Sequence, residues 1–374
     1  MMTPPETTPG TTGSDLHLQL DGALLHLHLG EGLEELAGTL AHLWEHVVVP
    51  AGEREPDIVL DLVAPGEQRK GAVIVPPSGA ATAYVVSGLI TRKLIARRAG
   101  TRLMLHAGTI QHPDLGVVTL IGPSGAGKST ATRTLAAAGR YLSDELTILD
   151  PSDLRITGYP KPVSLGTGPG RDKGDLALPD LGLIPAHAAP APDIMVVLRR
   201  EQDCNGSGAV RRLPLGEALA AVVPQTSSLW ELPDGLGILT GLLTRTGGAV
   251  EVRYTESAQL AELLSELPPA LHSPHAPLPA PQAAMAPGPG LLQAAPTAQA
   301  LAVEGGVFAL DQRRAVHLPG LSGLVWEILR TDGPLTLADT IQTVVAELGE
   351  DPASGDIVTR VLEGLVASRW VIRG

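Results

Sequence analysis

The sequence predicts an α/β chain in two parts: a strand–loop–helix core with a smaller α/β region before it, and after it a compact unit of one hairpin and three helices. Three observations carry that prediction. A buried-strand run at 116–121 feeds a glycine-rich loop and then a helix at 129–138. Ahead of it, period-two alternation at 16–29 gives way to helical spacing at 32–44 and 84–98. Beyond it, a stretch at 268–300 is dominated by Pro and Ala with no apolar periodicity, the composition of a semi-extended linker, and sets off residues 301–374.

Composition bounds the rest. A chain of 374 residues is long for one compact domain, and a hydrophobic fraction of 44% can fill more than one core. With 1 Phe, 4 Trp and 4 Tyr, those cores are built from Leu, Val, Ile and Ala. The single Cys204 excludes an internal disulfide and a thiolate metal cluster, which fits a reducing compartment. A formal net charge of −13 argues against nucleic acid as a partner. No apolar run approaches the ~20 residues of a membrane helix, and residues 1–14, rich in Pro, Thr and Gly, read as a disordered N-terminus without a signal-peptide pattern. The expectation is a cytoplasmic protein without membrane contact, compatible with self-association as a homo-oligomer.

The elements follow in order. In the α/β region at 15–101, the alternation of 16–29 turns at Asp21-Gly22, a hairpin signal, and 57–63 returns to strand. His17, His26 and His28 lie in that hairpin with no accompanying carboxylate or thiol pattern, and are expected as surface strand positions rather than metal ligands. The helix at 84–98 ends in Arg97 and Arg98, which suits its dipole. A strand at 101–110 and the strand at 116–121 then lead into the loop.

That loop comprises Gly122, Pro123, Ser124, Gly125, Ala126, Gly127, Lys128, Ser129 and Thr130, and matches the phosphate-binding pattern G-x-x-x-x-G-K-[ST] at every constrained position. Its glycines let successive N–H groups point inward at phosphate oxygens, Lys128 reaches the β/γ-phosphates, and Ser129 offers a hydroxyl to Mg²⁺. The expected ligands are ATP and Mg²⁺. After the loop helix, 139–150 reads as a strand carrying Asp144 and Glu145, where negative charge serves a metal or takes the proton of an attacking hydroxyl. Asp144 is the expected base and a second metal ligand. Further on, the Gly-rich charged loop at 166–175 offers Arg171 and Lys173 as counter-charges to phosphate, and a buried strand at 193–198 ends in Arg199-Arg200.

Leu105-His106-Ala-Gly108, the loop itself and Leu142-Ser-Asp144-Glu145 together resemble the HPr kinase/phosphorylase group, whose nucleotide site is similar to that of PEP carboxykinase. The likeness spans 103–150. It implies a HPr kinase-like core at 102–267 in which His106 sits near the γ-phosphate and interacts with Glu145, while Asp144 serves the acceptor hydroxyl. Glu145 stands where that family has a second Asp, and the family's motif beyond the acidic pair is not reproduced; Gly235-Leu-Gly-Ile-Leu-Thr240 echoes it without the Arg and too far downstream.

The C-terminal unit has its hairpin at 306–311 and 315–318, then helices at 322–329, 336–348 with an N-cap at Thr336, and 356–367. This winged-helix-like pattern resembles the PqqD family of leader-peptide recognition domains. The resemblance implies that an extended leader adds as a strand beside Ala315, Val316, His317 and Leu318 and rests on the third helix. Trp326 shares a helical face with Val325 and Leu329 and is expected in the core; a DNA-binding role is disfavoured because only Arg360 and Arg369 lie near that helix. The combined expectation is an ATP-dependent kinase acting on a side-chain hydroxyl of a ribosomally made precursor peptide. The rival is an ATP-gated leader-peptide-binding module that modifies nothing.

Overall fold

The computed structural model describes residues 14–167, 172–201, 208–279, 287–297, 299–311 and 314–374. Arg171 and Cys204, singled out in the sequence, lie outside these, as does nearly all of the N-terminal lead-in.

The N-terminal region is a five-stranded sheet in the order Val48–Val49, Ser14–Leu20, Ala23–Leu29, Ile58–Val63, Val73–Ile74. Asp21 and Gly22 both take positive φ, 47° and 73°, as a tight hairpin turn requires. The next strand joins in parallel, so the helix Glu34–Leu43 serves as its crossover. A longer helix, Ala80–Arg98, begins four residues before its expected start and buries Val86, Ile90 and Leu94. This region is not insulated from the centre of the molecule: its Leu-rich core is continuous with Met104, Leu146, Ile148 and Tyr159, and Trp44 lies 5.9 Å from the Tyr159 ring.

Two sheets form the centre. One has six strands in the order Ala209–Arg212, Val250–Tyr254, Ile194–Arg200, Gly116–Ile121, Ala107–His112, Arg140–Ser143; the other has five, Ala188–Ala189, Ile156–Thr157, Thr147–Leu149, Leu103–Leu105, Thr226–Ser227. Here the structure departs from the expected single strand at 101–110. The chain breaks at His106, leaving Leu103–Leu105 in one sheet and Ala107–His112 in the other. The acidic segment does the same, with Arg140–Ser143 in the six-stranded sheet and Thr147–Leu149 in the five-stranded one. Thr109 faces Ser143 and Leu105 faces Thr147, so a two-strand ribbon passes from sheet to sheet and bends at 106 and at 144–145 together. Buried hydroxyls stitch the bend. Thr109 Oγ1 lies 2.7 Å from Thr147 Oγ1 and 3.0 Å from Thr119 Oγ1, and Thr147 Oγ1 donates to the Ala107 carbonyl at 3.2 Å.

The segment at 268–300 also differs from its reading as a tether. His275–Leu278 pairs with Gln299–Val303, and Leu292–Ala294 pairs with Val371–Arg373. Proline is tolerated there because His275–Leu278 is an edge strand, where a missing N–H faces outward. The C-terminal hairpin, Gly306–Asp311 with Arg314–Pro319, is therefore half of a four-stranded antiparallel sheet. Period-two alternation splits its two faces. Val307, Ala309 and Leu318 face the helices Leu321–Thr331, Leu337–Leu348 and Ser354–Ala367, where Trp326 is fully buried and donates from Nε1 to the Trp370 carbonyl at 3.1 Å. Leu301, Val303, Phe308 and Leu310 join the central core with Leu215, Leu219 and Val222 of the helix Leu215–Val222. Gln299 adds polar ties, accepting from Leu236 N at 2.6 Å and donating to the Leu232 carbonyl at 3.0 Å.

Phe308 lies at this junction and is 1% exposed. Phe308→Ala should lower the stability of the full chain by about 3 kcal/mol or more, read as a shifted urea midpoint, because removing a buried ring leaves a cavity between two layers.

Candidate active site

A cavity of about 320 Å³ opens between the glycine-rich loop, the ribbon bend and the strand pair Val163–Thr167/Asp172–Leu176, with Tyr84 of the helix Ala80–Arg98 at its rim. It gathers His106, Ser124, Gly125, Gly127, Lys128, Ser129, Thr130, Asp144 and Glu145, while Gly122, Pro123 and Ala126 of the nominated loop do not line it.

The loop is shaped by its glycines and clamped from outside. Gly125 and Gly127 take φ of +86° and +84°, and Gly127 forms the N-terminal boundary of the helix Lys128–Ala136, whose first N–H groups then face the cavity. A Cβ at Gly127 would lie 2.8 Å from the Tyr254 hydroxyl, which itself donates to the Ala126 carbonyl at 2.7 Å. Lys128 is nearly buried, and its Nζ donates to the Gly122 carbonyl at 2.6 Å. Burial holds its pKa below the ordinary lysine value, and Asp144 and Glu145 oppose that shift.

The acidic pair owes its placement to a turn. Ser143 Oγ accepts from the backbone N–H groups of Glu145 at 3.2 Å and Leu146 at 3.0 Å, which pins the bend. Asp144 is buried and accepts a 2.7 Å hydrogen bond from the Tyr141 hydroxyl, whose pKa burial drives far above its usual value, so this donor keeps its proton. Glu145 is about a third exposed and pairs with the Lys161 ammonium at 3.0 Å.

Lys161 is the residue sequence reasoning passed over. It is 2% exposed, and its Nζ also donates to Ser164 Oγ and the Pro162 carbonyl, both at 2.9 Å; Ser164 in turn donates to Asp175 at 2.7 Å. Burial alone would push its pKa down, but Asp144, Glu145 and Asp175 together reverse this and hold it above the free lysine value. A buried lysine is rare unless paired, and one in a Gly-Tyr-Pro-Lys-Pro segment with no helical or strand pattern was the available signal. Lys173 also lines the cavity, 5.8 Å above the Tyr84 ring. Arg199 is instead paired with Glu251 at 3.1 Å, and Arg200 donates to the Thr255 carbonyl at 3.1 Å; neither lines the cavity.

His106 faces the cavity from the ribbon bend, its backbone N–H donating to the Gln225 carbonyl at 2.6 Å. Surrounding protein mass and then the Lys128 cation lower its pKa, against the opposing pull of Glu145 and Asp144. The hydroxyl of Ser129 and the carboxylates of Asp144 and Glu145 form an all-oxygen donor set around one cavity, which suits Mg²⁺.

The nominated peptide-binding strand is less uniform. Ala315 is exposed and Val316 half-buried, while Leu318 is buried among the three helices. His317 turns the other way, stacks on Phe308 at 6.5 Å, and sits against Gly216, where a Cβ would fall 2.4 Å from its Nε2. Its side chain belongs to the junction with the central core rather than to a peptide-facing surface. Beside the strand edge, Val223, Trp230, Arg314, Ala315, Ser368 and Trp370 line a groove of about 500 Å³.

The chain is thus a mixed α/β protein whose glycine-rich loop, acidic pair and cavity histidine meet in one place. No family model matches it, and no curated protein does either. Among solved structures it is similar to that of the Hpr(Ser) kinase/phosphatase from Coxiella burnetii, with 14% identity and a TM-score of 0.25 over 43% of this chain and 92% of that one.

Two outcomes are expected from this geometry. The unfolded chain binds its His106 proton near the free imidazole value of 6.5, more tightly than the folded chain does, so His106 takes stability away as pH falls through about 6.5. His106→Gln should therefore flatten the acid side of the melting-temperature profile relative to the parent. Lys161→Met should leave Asp144, Glu145 and Asp175 without their shared cation and lower the melting temperature, measured by thermal denaturation at pH 7.

Proposed function

We propose that this protein is an ATP- and Mg²⁺-dependent phosphotransferase that moves the γ-phosphoryl group to a side-chain hydroxyl, of Ser or Thr, in a ribosomally made precursor peptide. The observation that carries the reading is the meeting of a phosphate-binding loop with a buried, tyrosine-held Asp144 and a lysine-paired Glu145 in one cavity.

In this reading the backbone N–H groups of 122–130 cradle the triphosphate and Lys128 exchanges its loop carbonyl for phosphate oxygen. Ser129 and Asp144 would hold Mg²⁺, which neutralises charge on the phosphates when bound. Asp144 accepts the proton of the acceptor hydroxyl as the new O–P bond forms and the bond to the β–γ bridging oxygen breaks, releasing ADP. Tyr141 fixes the orientation of that carboxylate, Lys161 does so for Glu145, and His106 stands beside them at the ribbon bend as a neutral imidazole at physiological pH.

The peptide part of the proposal is supported by the strand edge at 314–319, which among the described residues pairs only with Gly306–Asp311, and by the groove beside it. An extended leader segment would continue that sheet, with Ala315 and Val316 as the contacting positions. Holding one end of the peptide raises the concentration of its acceptor at the cavity, to the order of mM for a suitable span.

The test is to incubate the protein with ATP, Mg²⁺ and a candidate precursor peptide and follow peptide mass. A gain of about 80 Da (one phosphoryl), or the matching elimination product, is expected. A peptide that stays unmodified while ATP is bound would overturn the kinase reading in favour of a binding module. Asp144→Asn should reduce transfer by at least about a hundredfold and leave ATP affinity within a few-fold, since general-base loss is felt in the chemical step. Val316→Glu should weaken leader binding by roughly tenfold or more without changing ATP affinity, measured by fluorescence anisotropy and calorimetry.

A further inference from the structure

We infer that the outer face of the N-terminal hairpin is a site for a divalent transition cation of the Zn²⁺ class, held by Asp15, His26 and His28. It is separate from the nucleotide cavity and shares no residue with it.

The placement comes from strand register. Leu16, Leu18, Leu20, Leu25, Leu27 and Leu29 fill the core, so the alternate residues share the opposite face. Asp15 stands directly across from His28, and His17 from His26; on the neighbouring parallel strand Asp61 is level with His28. The carboxylate absent from the local sequence pattern is thus supplied across the ladder.

The side chains converge on one point. Asp15 Oδ1 lies 2.9 Å from His26 Nε2 and 2.7 Å from His28 Nδ1, and the three ligand atoms all fall within 4.8 Å of one another. Tetrahedral Zn²⁺ with bonds of about 2.0–2.1 Å sets its ligands about 3.3 Å apart, a spacing inside the 4.8 Å over which the three ligand atoms already lie. Each imidazole now presents an N–H to the carboxylate. A cation entering between them needs those two nitrogens as lone pairs, and each proton can reside on the other ring nitrogen instead, so neutral imidazoles bind without losing charge balance.

Several features hold this arrangement in place. The His26 and His28 side chains are only 24% and 14% exposed although they stand on an outer sheet face, so their rotamers are confined. His17 stacks on His26 with ring centroids 4.5 Å apart and planes 6° apart, which fixes the second ring. Asp15, half exposed, leaves one side open for water to complete the shell. Two nitrogens and one carboxylate oxygen select borderline cations such as Zn²⁺, Co²⁺ or Ni²⁺ over Mg²⁺ and Ca²⁺, which prefer oxygen alone.

The experiment uses tag-free full-length protein, stripped with chelator and free of nucleotide, titrated with Zn²⁺ by calorimetry and with Co²⁺ by visible absorption. One equivalent per chain is expected, with a cobalt spectrum of four- or five-coordinate type. His26→Ala and His28→Ala should each weaken binding at least tenfold and Asp15→Asn severalfold, while His275→Ala binds as the parent does. Absence of stoichiometric binding in the parent, or an unchanged isotherm in the His26→Ala/His28→Ala double variant, would overturn the site.

Discussion

The constraint on which the site depends is the shared bend of a two-strand ribbon between two sheets. Neither strand could carry its functional residue at mid-ladder, because the backbone there is saturated with cross-strand hydrogen bonds and the side chains alternate into packed layers. Breaking both strands at the same level frees 106 and 144–145 from the ladder and places them in one cavity with the glycine-rich loop. The threonine hydroxyls at 109, 119 and 147 satisfy buried polar groups where the sheets part, and Ser143 caps the turn that results. The chemistry of the cavity is a product of that local interruption.

Electrostatics then decides what the cavity can hold. Asp144, Glu145 and Asp175 all act on buried Lys161, which pairs directly with Glu145 and reaches Asp175 through Ser164. Its ammonium is spread over a carboxylate, a serine hydroxyl and a proline carbonyl, which suits a charge that must stay fixed rather than one that travels. Lys128 is placed differently. It rests on loop carbonyls with a lowered pKa, ready to meet a new anion.

Much of this was legible in the sequence, for definable reasons. A strand, glycine-rich loop and helix in succession are local devices, so the left-handed turns at Gly125 and Gly127 ahead of the helix Lys128–Ala136 could be read directly; the hairpin turn at Asp21-Gly22 and the N-cap at Thr336 are equally local. Lys161 could not be assigned a role because its partners, Glu145 and Asp175, are set beside it only by the fold. The pairing of Asp15 with His26 and His28 was hidden for the same reason, since a cross-strand ladder joins residues eleven and thirteen positions apart. The segment at 268–300 misled through composition: proline and alanine describe a tether when read alone, yet an edge strand needs few donors of its own.

The sandwiched C-terminal sheet has a consequence for the whole molecule. His317 of its edge strand rests on the helix Leu215–Val222, that helix runs on to Gln225, whose carbonyl holds the His106 backbone, and Thr226–Ser227 then pairs with Leu103–Leu105. One short stretch of chain therefore braces the ribbon bend at one end and supports the proposed docking strand at the other. Cutting the protein at residue 300 would remove the sheet layer that packs on that helix, so the C-terminal unit and the centre of the molecule form one packed body.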